Sequence, residues 1–106
     1  MTYELEIPIA TLRRASRILL QHLEDLVGDS VTVGDDYFWS IPASEQYDVS
    51  RSPQELTIGQ LSETMGNLDS FVADPDSSIT YGLVWLSDVL RAVGQKSGEA
   101  APGGAG

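Results

Sequence analysis

Few residues in this chain could do covalent chemistry near neutral pH. His22 is the sole histidine and cysteine is absent, so no multi-histidine or thiolate metal centre can be assembled. His22 stands beside Leu19 and Leu23, which predicts a residue on the flank of a helix rather than a general base. A nucleophile would have to be serine or threonine, and none sits in a Gly-x-Ser-x-Gly elbow. Neither common kind of glycine-rich phosphate loop is present. Asp74-x-Asp76-x-Ser78 opens like a calcium loop. Its sixth position, however, is Ile79 where glycine is needed, and its twelfth is Trp85 where a bidentate glutamate belongs. Capping of the next helix is the expected role of these side chains. Asp35-Asp36 could supply half of a carboxylate pair for glycoside chemistry, but no spacing among the 16 acids selects a second half. A turn is the expected role. The sequence therefore predicts no catalytic residue, no metal site and no cofactor.

Binding chemistry is better represented. The run Gly34-Asp35-Asp36-Tyr37-Phe38-Trp39-Ser40-Ile41-Pro42, followed by Tyr47-Asp48, sets aromatic groups among acids. Consecutive strand residues alternate faces, so Tyr37 and Trp39 must point one way and Phe38 the other. Either the last helix or the long loop covers the second face, or an aromatic group stays exposed as a recognition patch. Tyr and Trp are favoured interface anchors, and acids around them select a basic partner. The expected partner-binding residues are Asp35, Asp36, Tyr37, Phe38, Trp39, Tyr47 and Asp48.

Charge points the same way. The formal net charge is −10, and residues 29–90 hold eleven acids against Arg51 alone, which is −10 in that segment. Such a field repels phosphate backbones and argues against direct nucleic-acid binding. The same excess would also serve plain solubility. Together these features predict a non-enzymatic interaction domain of immunity, inhibitor or adaptor type that engages a basic protein surface. The alternative is a small-ligand-binding or enzyme-accessory protein with a pocket between hairpin and last helix, lined by Trp39, Tyr47 and Trp85. A homodimer through surplus apolar surface at Met65 or Val84 is a third possibility.

The elements that must position these groups follow from periodicity. Tyr3, Leu5, Ile7 and Ile9 alternate with Glu4 and Glu6 as in a short strand, and Pro8 either ends that strand or opens the next helix. Leu12, Leu19, Leu23 and Leu26 then recur at helical spacing, with Gly28 as the stop. Val31-Thr32-Val33 and Tyr37 to Ile41, joined by Gly34-Asp35-Asp36, predict a hairpin. Ala43 to Pro53 reads as a loop. Two capping boxes, Ser52 to Glu55 and Thr57 to Gln60, compete to start a second helix. Its seam is Ile58, Leu61, Met65, Leu68 and Val72, and Gly66 weakens it by about 1 kcal/mol relative to alanine. The last helix repeats the rhythm at Ile79, Leu83, Leu86, Leu90 and Val93. Val84, Trp85 and Val89 widen its apolar face, which predicts a central helix.

With 106 residues, 42% hydrophobic and 21% charged, one globular domain over 1–95 is expected, followed by a disordered Gly/Ala-rich tail over 96–106. The fold class is α+β, mainly helical: three amphipathic helices packed with a short β-hairpin. Lack of cysteine suits a reducing cytoplasm. The first residues lack the pattern of a secretion signal, and the apolar concentration from Ile79 to Val93 is shorter than the roughly 20 residues of a membrane span. The stretch from Asp36 through Ile41-Pro42, with Tyr47-Asp48 and Leu56-Thr57-Ile58-Gly59-Gln60-Leu61, resembles small uncharacterised bacterial proteins. That resemblance implies no activity.

Overall fold

A computed structural model describes residues 4–76 and 79–100. The fold is α+β and mainly helical, with four helices and a two-stranded antiparallel sheet among the described residues. The chain divides into two compact units, one of Met1–Thr32 with Lys96–Gly106 and the other of Val33–Gln95. No helix among the described residues is long and apolar enough to cross a membrane.

The first unit is built on α1, Ile9–Val27. Pro8 is its N-cap residue, in extended conformation, and its carbonyl accepts the Leu12 N–H at 3.3 Å. Proline has no N–H to leave unpaired at a helix start. Residues 4–7 carry no regular structure, so Pro8 opens the helix and the expected strand does not form there; Tyr3 lies outside the described residues. Gly28 ends α1 at φ +87°, ψ −152°, a combination that only glycine adopts without strain, and its N–H donates to the Glu24 carbonyl at 2.8 Å. Leu23 and Val27 are half-buried, whereas Leu12, Leu19 and Leu26 are exposed.

The second unit holds β1 (Tyr37–Ser40), α2 (Ala43–Gln46), β2 (Thr57–Gln60), α3 (Leu61–Ala73) and most of α4 (Ile79–Ala100). The hairpin expected between Val31-Thr32-Val33 and Tyr37 to Ile41 does not form. The partner of β1 is not Val31-Thr32-Val33 but β2, in the register Tyr37↔Gln60, Phe38↔Gly59, Trp39↔Ile58, Ser40↔Thr57. The expected tight turn would need Asp36, and Asp36 is held elsewhere: its carbonyl accepts the Leu61 N–H at 2.7 Å and its carboxylate binds the start of α3. Gly59 adds a second reason, because the absent side chain leaves room for the Phe38 ring across the ladder. The long connection contains α2 where a loop was expected. Glu45 of α2 accepts backbone N–H groups of Gln54 and Glu55, both at 3.0 Å, which pins the chain on its return to β2.

Neither capping box starts a helix, since Thr57 and Gln60 are strand residues and α3 begins at Leu61. Because Ile58 lies in a strand, helical counting cannot begin there, and the buried face of α3 is rotated from the predicted seam. Leu61, Asn67, Leu68 and Phe71 are half-buried and Thr64 is buried, while Met65 and Val72 are exposed. Thr64 is tolerated inside because its hydroxyl donates to the Gln60 carbonyl at 3.1 Å.

Among the α4 residues whose burial is described, the covered positions are Gly82, which is buried, and Trp85, Asp88, Val89, Ala92, Val93 and Ser97, which are half-buried. Ile79, Leu83, Leu86 and Leu90 of the predicted rhythm are exposed. Phe71 sets this phase. Its ring comes so close to Gly82 that an added Cβ would meet it at 3.7 Å, so α3 and α4 approach where α4 has no side chain. The helix continues through Gly94 to Ala100, which corrects the expectation of a tail starting at 96; residues 101–106 lie outside the described residues.

Candidate functional site

The sheet resolves which aromatic faces which way. Along β1 exposure alternates, with Tyr37 and Trp39 open to solvent and Phe38 and Ser40 half-buried. Tyr37 is 67% exposed, Trp39 70%, and Ile58, directly opposite Trp39, 65%. Directly opposed residues share a face, so these three make one apolar patch on the outward side of the sheet. Gln60 lies opposite Tyr37 and donates to its hydroxyl at 3.5 Å. By spacing alone Ile58 reads as the first position of a helix seam. Its alternation with Thr57 and Gly59 was the available strand signal, outweighed by the heptad rhythm that follows it.

Among the predicted binding residues, Tyr37 and Trp39 are thus brought together, while Phe38 turns to the opposite face and rests over Gly59. Asp36 has a local structural role. Its Oδ1 accepts the Ser62 backbone N–H at 2.7 Å, and its Oδ2 accepts the Ser62 hydroxyl and the Gln60 side-chain N–H, each at 2.9 Å. Ser62 is the second residue of α3, so Asp36 caps that helix from a distant point in the chain, satisfying an N–H that has no intrahelical partner. The Gln60 hydrogen bond and then the Ser62 N–H hold its carboxyl below the usual carboxylate range.

Asp48 is committed locally, accepting the Ser50 N–H at 3.3 Å and the Ser50 hydroxyl, with Arg51 Nε at 3.5 Å. Asp35 is exposed, and Tyr47, 83% exposed, caps the C-terminal end of α2.

A cleft of about 380 Å³ lies where the sheet, α3 and α4 meet. Phe38 and Trp85 give it aromatic walls, and Thr64, Asn67, Glu63 and Asp88 supply polar groups. Trp85 therefore lines a cleft, as the pocket reading expected; Trp39 and Tyr47 lie outside this lining. Burial pushes the Asp88 carboxyl above its usual range, and Arg91 pulls it partly back. Trp85 also stacks with Tyr81, ring centroids 6.0 Å apart and planes 21° from parallel.

This geometry offers hydrogen bonds, aromatic surface and negative charge. Among the described residues no group of three or more metal-ligating side chains converges. No family model, curated protein or solved structure matches the chain. The functional reading accordingly rests on the site itself.

Proposed function

We propose that this chain is a non-catalytic interaction domain that docks a basic protein surface on the outward face of its sheet, in the manner of an immunity protein, inhibitor or adaptor. The observation that carries the reading is the exposure of Tyr37, Trp39 and Ile58 side by side on a paired strand ladder. Aromatic side chains lose few rotamers on binding and bury much surface, which is why they serve as interface anchors. Charge selects the partner. Residues 33–95 hold ten acids against Arg51 and Arg91, a net −8, so approach of a basic surface is accelerated and an acidic one is repelled. Lack of cysteine supports placing the domain in a reducing cytoplasm.

The test is affinity capture from the native host with wild type and with a Tyr37→Ser, Trp39→Ser variant, eluted over a salt gradient, followed by titration of the purified captured protein. The reading expects a basic protein that leaves with salt and binds the folded variant at least about 100-fold more weakly, as loss of two anchors implies. Equal affinity for the variant would reject the sheet face.

The cleft favours a second reading, a small cationic ligand held against Trp85 by Glu63 and Asp88. Quenching or shifting of Trp85 fluorescence by simple amines and guanidines in a Trp39→Phe background checks it, and an unchanged spectrum across the series rejects it.

A further inference from the structure

We propose that the open edge of β1 takes an extended segment of the basic partner as a third, antiparallel strand, with apolar and basic side chains alternating along it. This rests on the docking of a basic surface at the sheet and states how that surface is held.

The hydrogen-bond phase of the ladder fixes which backbone groups are open. In an antiparallel pair, opposed residues alternate between those that exchange N–H and C=O bonds and those that do not. Asp36 and Leu61 stand one step beyond Tyr37↔Gln60, and the Asp36 carbonyl accepts the Leu61 N–H at 2.7 Å, so theirs is an exchanging position. Phe38↔Gly59 and Ser40↔Thr57 share that phase. Tyr37 and Trp39 have the other phase and direct their N–H and C=O groups away from β2. Among the described residues the sheet has two strands, and none supplies a backbone partner for these groups.

β2 offers less. Its corresponding residues are Ile58 and Gln60, but the Gln60 carbonyl accepts the Thr64 hydroxyl at 3.1 Å and α3 starts at the next residue. Within the Val33–Gln95 unit, α3 approaches the sheet at β2. β1 also lacks the lysine, proline or bulge that commonly blunts a strand edge.

Strand addition specifies side chains as well as backbone. Residues of an added antiparallel strand opposite Tyr37 and Trp39 share their face, which makes apolar groups the match for two exposed aromatic rings. The residues between them project to the side of Phe38 and Ser40, which line the cleft together with Glu63 and Asp88. Basic groups suit that side. A second copy is disfavoured as the occupant, because two units of net −8 would meet.

The probe is a capped peptide of alternating valine and arginine, about eight residues long so that it overhangs the strand, titrated into the full chain at low salt. Amide exchange followed by NMR should find the Tyr37 and Trp39 N–H groups fast and those of Phe38 and Ser40 slow in the free chain. Saturating peptide should slow Tyr37 and Trp39 by about 10-fold or more. Methylating every valine nitrogen should weaken binding by about 10-fold or more, since two hydrogen bonds to the Tyr37 and Trp39 carbonyls are lost. Methylating every arginine nitrogen should not. A valine–glutamate peptide should bind at least about 10-fold more weakly.

A peptide that does not bind overturns the proposal, as does equal binding of the glutamate peptide. Slow exchange of Tyr37 and Trp39 in the free chain at every concentration means that the same chain covers the edge, and slow exchange relieved by dilution means that a second copy does; either result overturns it. Weakening by arginine methylation in place of valine methylation shows a parallel strand and rejects the antiparallel register. Binding that is lost in Tyr37→Ser, Trp39→Ser but unmoved by either methylation, with Tyr37 and Trp39 exchange unchanged, leaves the interaction reading standing and removes the added strand. The interaction reading itself fails on a different readout, equal affinity of the captured partner for that variant.

Discussion

Gly59→Ala is a test of how the sheet is held, because its effect should depend on a single side chain across the ladder. An added Cβ at Gly59 would lie 2.6 and 2.7 Å from Cε2 and Cε1 of Phe38 and would also overlap Cζ. The β2 backbone cannot retreat easily, being fixed by its pairing with β1 and by the Leu61 N–H donated to Asp36 at 2.7 Å. The ring must therefore swing out. A fully buried phenylalanine contributes about 1.5–3 kcal/mol, so this half-buried one stands to lose about 1–1.5, and residual crowding adds about 1. Alanine returns about 0.5–1 through the smaller entropy of its unfolded chain. The net expectation is about 1–2 kcal/mol of destabilisation, a fall in urea midpoint of roughly 1 M for a small domain. In a Phe38→Ala background the clash is gone, and Gly59→Ala should be neutral or stabilising by about 0.5 kcal/mol. Urea unfolding of the four proteins followed by far-UV circular dichroism closes the cycle, with an expected coupling of about 1–2.5 kcal/mol. Additivity within about 0.5 kcal/mol, or stabilisation of the wild-type background by Gly59→Ala, would refute the packing of ring on glycine.

Asp36→Ala removes the acceptor of the Ser62 N–H, so amide exchange at Ser62 and the first turn of α3 should accelerate while exchange within α1 stays unchanged. Because the Asp36 carboxyl titrates below its ordinary 3.8, its stabilisation is complete above that value and is lost as pH falls through the lower folded value; acid unfolding should show this in wild type and not in Asp36→Asn. Asp88 has the opposite sign. Its folded carboxyl is raised above 3.8, so its ionisation opposes folding as pH rises through the raised value, and Asp88→Asn should melt higher than wild type at neutral pH but not below 3.8. Gly28→Ala should cost about 1 kcal/mol or more, read as a lower urea midpoint, since alanine is strained at the φ of +87° found there. Trp39→Ser, at a side chain 70% exposed, should leave the midpoint within about 0.5 kcal/mol of wild type.

What could be read without coordinates was local. Pro8 and Gly28 mark the ends of α1 because each acts through its own backbone, and the leucine spacing between them needs no distant partner. Tyr37 to Ser40 was recognisable as a strand for the same reason. Its mate was not, because strand pairing is chosen by contacts far apart in sequence: Val31-Thr32-Val33 has the better strand composition, yet Gly59 accommodates Phe38 and Asp36 is spent on α3. The phases of α3 and α4 were missed through a related cause. A heptad rhythm counted from Ile58 or Ile79 describes an isolated amphipathic helix, whereas the covered faces here are set by where Phe71 can approach Gly82 and where Thr64 can satisfy its hydroxyl internally.

The same non-local contacts change which substitutions can report on binding. Asp36 and Phe38 looked like members of an acidic aromatic patch, but altering either loosens a helix start or a strand pairing. A loss of partner would then follow from misfolding as readily as from a lost contact. Trp39 and Ile58 carry no such ambiguity: they project from paired backbone, and Trp39 is 70% and Ile58 65% exposed. Replacing them removes apolar surface from a face that folding leaves in water, and exposed side chains contribute little to stability. A partner lost with Trp39→Ser or Ile58→Ser while the denaturation midpoint holds must have touched that face. A partner lost only with Phe38→Ala would have read the sheet's integrity instead.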